Sequence, residues 1–315
     1  MPFRLRYLKG VQQYLLDPKS VPENHVLLNP SAAGDVVYIR DIEQTSSQQI
    51  NNVILYNAKD STSTRIPFPM EFLHSTDNYY AGLEDVRIVW YTKPTESKPR
   101  LYFTATSTHA SARLQSEMLV GVFSKDLQKI ERMNHLDLGP PPVKNVCPFV
   151  HDGKILLIDT YARVLYELVD TKDTTDAVVD PPVFEVITRC RLGGISLGIF
   201  NSDGGGRDGL RGTTCPVHLH GNTYGCVVHD VIYDDNVILN TKSKMAYIHQ
   251  WIEFEITNDG AVVTFVSSPF FCVKLGVEFV SGIDYNKNDN KVTLYLGVDD
   301  KLPVVIYTTL YDIRA

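Results

Sequence analysis

Two adjacent carboxylates and an arginine stand together in residues 82–88, Gly-Leu-Glu-Asp-Val-Arg-Ile. A glycine turn precedes them, and the β-branched and aromatic run 86–91 that follows is typical of a strand. Because neighbouring side chains of a strand point to opposite faces, Glu84 and Asp85 are predicted to have different surroundings. One of them is then free to face a cleft and exchange a proton there. The alternative is a pair of acids that only caps a strand.

The composition is that of a globular protein and argues against several classes of partner. The 315 residues are 43% hydrophobic and 21% charged, and the formal net charge is −7. An acidic chain is poorly suited to nucleic acid or to an anionic membrane surface, so neither is expected as a partner. The sequence has no apolar signal-peptide core at its start and no run long enough to span a bilayer. The five cysteines are scattered, which signals neither a disulfide framework nor a structural zinc site. We therefore expect a cytoplasmic protein without a membrane span.

Strand signals dominate the chain, and they recur. Short β-branched or aromatic runs alternate with Asn, Asp, Gly and Pro in units of about 55–65 residues, somewhat longer than the usual repeat of a propeller. Five such units predict an all-β fold, a five-bladed β-propeller that forms a single catalytic domain over residues 1–315. Stretches 5–16 and 114–122 are ambiguous between helix and strand. A two-domain β-sandwich is the alternative. The predicted blades are residues 27–80, 81–143, 144–200, 212–275 and 276–312.

Polar residues at matching places in successive blades are expected to meet. In a propeller the first strand of each blade lines the central channel, and the loops that leave one face surround one pocket. One acid among several cationic or donor groups suits a site that holds a sugar beside a phosphate. The polar residues at these places are Asn29, Ser31 and Arg40 in the first unit, Asp85 and Arg87 in the second, Lys144 and Asn145 in the third, His229 and Tyr247 in the fourth, and Asp300 in the fifth.

Four groups of residues match signature motifs of one enzyme family, in the family's order. The matching stretches are 82–88 for Gly-x-Glu-Asp-Pro-Arg-Ile, 144–149 for Lys-Asn-Trp-x-Pro-Phe, 212–216 with His229 for Gly-Thr-Pro-Pro and a Tyr-His or Val-His strand end, and 279–282 with 296–300 for Phe-x-x-Gly and Tyr-Gly-Ala-Ala-Asp. In these stretches the chain resembles the β-mannoside phosphorylases and related mannosyltransferases, which are five-bladed propeller enzymes. The resemblance covers most of the chain, from about Asn29 to Leu310.

The resemblance implies a role for each polar residue named above. Asp85 would be the general acid that protonates the glycosidic oxygen, in some members of the family through a sugar hydroxyl. Phosphate would attack the anomeric carbon from the opposite face, so the reaction inverts and needs no second catalytic carboxylate. Arg87 could also orient Asp85. The residues that would bind phosphate are Arg40, Lys144, His229 and Tyr247. The residues that would bind sugar hydroxyls are Asn29, Ser31, Arg87, Asn145 and Asp300.

The implied reaction is the inverting transfer of a hexosyl unit, in this family mannosyl, between a sugar acceptor and phosphate or a phosphorylated donor. A glycoside phosphorylase and a glycosyltransferase both fit, and they differ in whether the basic residues hold free phosphate or a sugar nucleotide. The expected partners are an oligosaccharide or glycan acceptor and phosphate, a sugar phosphate or a sugar nucleotide. No cofactor and no metal are expected, although a divalent ion at Asp299 and Asp300 stays open.

Two departures from the family motifs bear on the substrate. Val86 replaces a proline after the acid, which leaves the backbone less rigid there. Val146 and Cys147 replace an aromatic residue, and their presence is expected to remove a stacking surface at a sugar subsite.

Other functions compete with this reading. An inverting glycoside hydrolase needs a second carboxylate, about 6.5–9.5 Å from the first, as its base. A non-catalytic propeller that binds glycans or a protein partner needs no general acid. His218 and His220 alternate on a strand like zinc ligands, with His229 as a possible third. The candidates for the hydrolytic base are Glu84, Asp203 and Asp284.

Overall fold

Strands build nearly all of the described chain. The computed structural model describes residues 5–45, 49–68, 80–108, 116–136, 138, 144–160, 164–170, 184–194, 211–233, 245–258 and 260–315. Within these ranges lie 24 β-strands, one 3₁₀ turn (Pro18–Ser20) and one α-helix, α1 (Leu310–Arg314). The strands form a five-bladed β-propeller, which confirms the predicted fold class. Among the described residues, no helix has the length and apolarity that a membrane crossing requires.

Each blade is an antiparallel set of strands, numbered here along the chain. Blade 1 consists of β3 (His25–Ala33), β4 (Val36–Gln44), β5 (Gln49–Asn57) and β6 (Thr62–Ile66). Blade 2 consists of β8 (Glu84–Tyr91), β9 (Arg100–Thr108), β10 (Ser116–Phe123) and β11 (Ile130–Leu136). Blade 3 consists of β12 (Cys147–His151), β13 (Lys154–Asp159), β14 (Val164–Asp170) and β15 (Phe184–Gly194).

Blades 4 and 5 depart from this plan in their inner and outer strands. Blade 4 consists of β16 (Arg211–Thr213) and β17 (Val217–His220), which share the inner position, and of β18 (Thr223–Tyr233), β19 (Met245–Thr257) and β20 (Gly260–Val266). Blade 5 consists of β22 (Glu278–Asn286), β23 (Lys291–Val298), β24 (Leu302–Thr309) and β2 (Val11–Tyr14). The remaining short strands are β1 (Arg6–Tyr7), β7 (Tyr80–Gly82) and β21 (Phe270–Phe271). In the ambiguous stretch 5–16 the strands cover residues 6–7 and 11–14, and in 114–122 the described residues 116–122 are strand.

Each blade is covered on both faces, which is why its strands read as long apolar runs rather than as an apolar–polar alternation. In β23, Val292, Leu294 and Leu296 pack against blade 4, whereas Tyr295 packs against blade 1. Alternate side chains of one strand thus enter two different hydrophobic layers. Five clusters of buried side chains fill the five gaps between neighbouring blades. The cluster between blades 5 and 1 has six buried residues and is the smallest of them.

The two ends of the chain close the ring at blade 5. The N-terminal strand β2 pairs antiparallel with β24, with Val11 opposite Tyr307. The Arg6 guanidinium donates hydrogen bonds to the carbonyl oxygens of Asp312 (2.7 Å) and Ile313 (2.8 Å) at the end of α1. A cation near a helix C-terminus also interacts favourably with the helix dipole. Residues at opposite ends of the sequence therefore share one blade.

Blades 3 and 4 are joined by backbone hydrogen bonds as well as by side chains. Leu192 to Gly194 of β15 pair in parallel with Ala261 to Val263 of β20. This pairing merges the two blades into one continuous sheet. The gap between blades 5 and 1 depends instead on its small apolar cluster and on the N-terminal segment, whose Leu15, Leu16 and Val21 pack against it.

Replacement of Arg6 by alanine should destabilise the fold. The substitution removes two charge-assisted hydrogen bonds to α1 and the contact of the guanidinium with the Phe270 ring, 5.3 Å from its centroid. We expect the free energy of unfolding, measured by urea denaturation, to fall by about 1–3 kcal/mol. Lys19→Ala, at an exposed position of the 3₁₀ turn, is the control and should change it little. Equal stability of the wild type and Arg6→Ala would contradict this account of ring closure.

Candidate active site

The inner strands of blades 1 and 2 carry an extra residue at the same place. Asn29 and Pro30 of β3 stand opposite the single residue Ile39 of β4, and Asp85 and Val86 of β8 stand opposite one residue of β9. Such a bulge bends the strand and re-aims a side chain. Both leading residues have left-handed backbone, with φ of 47° at Asn29 and 50° at Asp85. Their side chains consequently meet, and Asn29 Nδ2 donates to Asp85 Oδ1 at 2.7 Å.

Blades 3 and 4 repeat the irregularity. Asn145, just before β12, has φ of 59°, and Gly212, at the register shift of β16, has φ of 51°. The pairing partners also correspond between blades, because His229 lies opposite Arg211 just as Arg40 lies opposite Leu28. Arg40 and His229 are therefore matching residues of the second strands of blades 1 and 4. Because equivalent residues occupy equivalent places in these blades, polar side chains that are far apart in the sequence can converge on one site, as predicted.

An acidic cluster forms where blades 1 and 2 meet. One guanidinium nitrogen of Arg40 lies 3.8 Å from Asp85 Oδ1, and another lies 3.5 Å from Glu84 Oε1. The Arg40 Nε donates to Asn51 Oδ1 at 2.7 Å, which fixes the direction of the guanidinium. In this structure the described contacts of Arg40 are thus with carboxylates and an amide. Its predicted role as a phosphate ligand stays a prediction.

The expectation that Glu84 and Asp85 face opposite sides of a strand is wrong. Both carboxylates approach Arg40. Alternation holds only for extended backbone, and Asp85 is left-handed, so the side chains of these two neighbours turn to the same side. A glutamate–aspartate pair before a strand can therefore share one cation when a bulge separates them.

Asp300 adds a third carboxylate to this cluster. It lies beside Asp299 in the three-residue connection between β23 and β24, and both residues have left-handed backbone, with the Lys301 amide donating to the Val298 carbonyl at 3.1 Å. Partial burial raises the pKa of the Asp300 carboxyl, Arg40 opposes this shift, and the neighbouring charges of Asp85 and Asp299 add to it. Asp299 pairs instead with Lys274. The two aspartates therefore point their carboxylates at different partners.

A second group of side chains surrounds Phe279, whose strand begins blade 5. The Arg87 guanidinium, fully buried, lies 5.2 Å from the centre of the Phe279 ring. The His229 ring meets the same phenyl edge-on, at 4.9 Å between centroids, and Tyr247 lies 5.1 Å from His229. Gly212 brings Asn145 to this group, because it lies against both His229 and Asn145. Phe279 was not predicted as a site residue, although it opens one of the motifs quoted above.

Buried polar atoms without a hydrogen-bond partner among the described residues concentrate here. They include Asn29 Oδ1, Asn145 Oδ1 and the hydroxyl of Tyr38. Tyr38 is fully buried, which raises the pKa of its hydroxyl, and Arg40 and Asp85 lie close enough to influence it. Buried acceptors are nearly always satisfied in native proteins, by protein, water or ligand. Sequence reasoning missed Tyr38, which reads as an ordinary strand residue in Val-Val-Tyr-Ile.

Other predicted residues have different surroundings. Ser31 is fully buried and neighbours Cys215, beneath the two groups just described. Lys144 is exposed. Val146 is fully buried in the layer between blades 2 and 3, so this position belongs to the core, and the expected loss of a stacking surface at a subsite is not supported at Val146. Asp284 lies near Asp35 and Tyr295, away from the acidic cluster, and Asp203 lies outside the described residues.

The histidines considered for zinc are not gathered together. His218 is exposed, its Nε2 bonds to the Gly221 carbonyl at 2.7 Å and its Nδ1 to Lys287 at 2.6 Å. His218 pairs with Tyr224 and His220 with Thr223, several residues along β18 from His229. The register of β18 therefore separates the three histidines.

One cluster among the described residues has the composition of a metal site, formed by His249, Cys272 and Glu278. The Glu278 carboxylate accepts hydrogen bonds from three consecutive backbone amides, those of Cys272, Val273 and Lys274. His249 Nε2 accepts the amide hydrogen of Val280 at 3.3 Å, so in the neutral ring the proton lies on Nδ1. A metal would have to replace that proton and rearrange these bonds. Glu278 is therefore held by a structural hydrogen-bond network, whereas His249 Nδ1 has no hydrogen-bond partner among the described residues.

Comparison with known proteins supports the fold. No family model matches the chain, and no curated protein matches it. A provisionally assigned glycosidase from Bacteroides thetaiotaomicron superposes with a TM-score of 0.53 at 13% identity, over 98% of this chain and 95% of that one. A provisionally assigned glycoside hydrolase from Bacteroides ovatus gives 0.51 at 14% identity, over 98% and 94%.

A third structure comes from a group described as the GH130 family of mannoside phosphorylases, which contains glycoside hydrolases that target β-1,2 mannosidic linkages in Candida mannan. It gives a TM-score of 0.51 at 12% identity, over 96% of this chain and 94% of that one. At such identities the likeness establishes the fold. The five-bladed propeller implied by the sequence motifs is thus confirmed.

The Glu278 network should make stability depend on pH. Burial raises the pKa of Glu278 from 4.5 to about 7, although the three amides favour the charged form. At Glu278 the native state therefore binds more protons than the unfolded state between these pH values, so the contribution of this residue to stability falls as pH rises through that window. The neighbouring His249, whose pKa burial lowers to about 3, contributes the opposite slope below pH 6.5. We expect the Glu278 contribution to fall by on the order of 3 kcal/mol between pH 4.5 and pH 8, measured by urea denaturation as the difference between the wild type and Glu278→Gln.

In Glu278→Gln the position no longer titrates, so this slope should shrink, while the exposed control Asp289→Asn should keep it. An equal pH dependence in Glu278→Gln and wild type would refute the assignment.

Proposed function

We propose that this chain is a carbohydrate-active enzyme that transfers a mannosyl unit, with inversion, between a sugar acceptor and phosphate or a phosphorylated donor. One observation carries the proposal. Asp85, held by Asn29 at 2.7 Å, lies close to Tyr38, and the buried Asn29 Oδ1 and Tyr38 hydroxyl have no hydrogen-bond partner among the described residues; Asn145 Oδ1, in the second group, has none either. Acceptors that need donors suit the hydroxyl groups of a sugar.

The two groups of side chains suit an inverting displacement. Asp85 belongs to the acidic cluster at blades 1, 2 and 5, whereas His229, Tyr247 and Asn145 belong to blades 3 and 4. In the proposed step Asp85 gives its proton to the glycosidic oxygen, and the bond between that oxygen and the anomeric carbon breaks. A phosphate oxygen forms the new bond from the opposite face, which inverts the anomeric centre. The products are a free acceptor sugar and a sugar 1-phosphate.

The substrate class rests on similarity. Mannoside phosphorylases are named in the description of one structural neighbour, and the motifs at 82–88 and 144–149 resemble those of the same family. Arg40 enters the proposal as a group that positions Asp85, because its described contacts are with Glu84, Asp85 and Asn51. In this proposal phosphate binds on the side of the site that holds His229 and Tyr247.

Asp85→Asn should abolish turnover without unfolding the protein. Loss of a general acid costs about 10²–10⁴-fold in kcat. The measurement is release of mannose 1-phosphate from β-mannosides in phosphate buffer, with a thermal-shift screen of phosphate, mannose 1-phosphate and GDP-mannose to identify the donor. The matched control is Asp152→Asn, since Asp152 is also a left-handed aspartate, with φ of 48°, but is exposed in blade 3. Full turnover by Asp85→Asn would rule out the mechanism. No turnover by the wild type with any donor would favour a glycan- or protein-binding propeller.

An inverting hydrolase is the second candidate, and the position of Asp300 favours it. Glu84 and Asp85 lie 3.5 and 3.8 Å from Arg40, and Asp300 lies near enough for Arg40 and Asp85 to influence its charge, so this excess of negative charge disfavours a phosphate ion near them. A hydrolase would use Asp300 as the base that activates water.

The two candidates predict different behaviour for Asp300→Asn. A hydrolase would release mannose without phosphate and would lose about 10²–10⁴-fold in kcat on this substitution. A phosphorylase would need phosphate, and the same variant would change mainly KM, because Asp300 would only hold a sugar hydroxyl. Steady-state rates with and without phosphate separate these outcomes.

A further inference from the structure

Gly212 departs from the pattern that the preceding blades set at the same place. Blades 1, 2 and 3 put Asn29, Asp85 and Asn145 at their left-handed inner position, with φ between 47° and 59°. Blade 4 puts Gly212 there, with φ of 51°. Left-handed backbone by itself accepts asparagine or aspartate, as those three blades demonstrate. The backbone conformation therefore does not explain why blade 4 has no side chain.

The surroundings of Gly212 do explain it. A Cβ atom on Gly212 would lie 2.7 Å from His229 Cε1 and 3.2 Å from both His229 Nδ1 and Asn145 Nδ2. His229 is nearly fully buried and is pressed from its other side by the Phe279 ring, at 4.9 Å between centroids. The imidazole fills the volume that a side chain at 212 would need. The Phe279 ring therefore blocks the imidazole from moving away from a methyl group at position 212.

We infer that Gly212 is a positioning residue. Because Gly212 has no side chain, the His229 imidazole occupies the space beside it and supplies the polar group of blade 4 to the candidate site. In blade 1 the left-handed Asn29 supplies a polar group together with Arg40 of the second strand, and in blade 2 the left-handed Asp85 supplies it. In blade 4 the supplier is the residue on the second strand, His229, which matches Arg40 of blade 1. The inference rests on the proposed function and extends it. It places His229, which substitutes for a left-handed polar side chain in blade 4, on the phosphate-binding side of the site.

A chemical consequence follows from the exchange. Asparagine and aspartate side chains at the left-handed position are short and, in blades 1 and 2, bonded to each other. An imidazole held by packing against Phe279 and Tyr247 reaches the centre from farther away and offers a ring nitrogen as a donor to an anion. Blade 4 thereby contributes an imidazole to the candidate site, whereas the carboxylates of the site come from blades 2 and 5.

Phosphate affinity tests the inference through a double-mutant cycle. Gly212→Ala should weaken binding of inorganic phosphate, measured by calorimetry, by about tenfold, the worth of one hydrogen bond to a charged group. His229→Ala should weaken it to a similar degree, and the double variant should lose no more than His229→Ala alone, because both changes remove the same contact. Independent, additive losses would overturn the inference.

Two further variants separate contact from backbone strain. Gly221→Ala is the matched control, since Gly221 also lies in blade 4 with φ of 49° but has no atom within 4 Å of an added Cβ. It should bind phosphate as the wild type does. Gly212→Asn tolerates left-handed backbone yet keeps the Cβ, so it should fold and still lose phosphate affinity. Wild-type affinity in a folded Gly212→Asn, beside a loss in His229→Ala, would overturn the inference.

A spectroscopic readout keeps the inference apart from the proposed function. The imidazole resonance of His229, assigned by its absence in His229→Ala, should shift in Gly212→Ala and Gly212→Asn and stay in place in Gly221→Ala. If His229→Ala leaves phosphate affinity unchanged, the proposed role of His229 fails, whereas a shifted resonance would still support its placement by Gly212. An unshifted resonance in both Gly212 variants would overturn the inference whatever phosphate does.

Discussion

The extra residue in the inner strands is the constraint on which the site depends. A regular strand would send Glu84 and Asp85 to opposite faces and bury one of them between blades. The left-handed residue breaks this alternation at a single point, so the apolar residues on either side still enter their two layers. The polar side chains of different blades can therefore meet at one place, and the apolar packing of each blade is retained. Strained backbone of this kind is characteristic of functional sites, where the surrounding structure holds it in place.

Two carboxylates show how differently the fold satisfies a buried acid. Glu278 receives three consecutive backbone amides of one turn, a fixed arrangement that suits a structural role. Asp85 is held by side chains from another blade, Asn29 and Arg40, which can exchange partners when a ligand arrives. The hydrogen bonds of Glu278 are therefore part of folding. Those of Asp85 join side chains of two blades, and in the proposed function they rearrange around a ligand.

The sequence was sufficient for the fold class because both faces of every blade are covered, which produces recurring β-branched runs between turn residues. It could not place β2, since the pairing of Val11 with Tyr307 joins opposite ends of the chain. Matching positions in the repeat predicted that Asn29 and Asp85 would meet, as they do. Tyr38 and Phe279 escaped detection because strand aromatics usually belong to the core. The finding that Glu84 and Asp85 turn to the same side could not be predicted without the φ angle of Asp85.

The smallest hydrophobic layer of the ring lies between blades 5 and 1, and the candidate site straddles that boundary. Asn29 belongs to blade 1, and Gly297, whose added Cβ would lie 2.6 Å from Asn29 Oδ1, belongs to blade 5. This boundary is also held by the contacts of β3 with β22, β23 and β24, and by the Ser281 hydroxyl, which donates to the Pro30 carbonyl at 2.7 Å. In the proposed function a sugar would bind across it, and separating the two blades would first require release of the sugar. Binding at the centre would then stabilise the closed ring as well as fill the site.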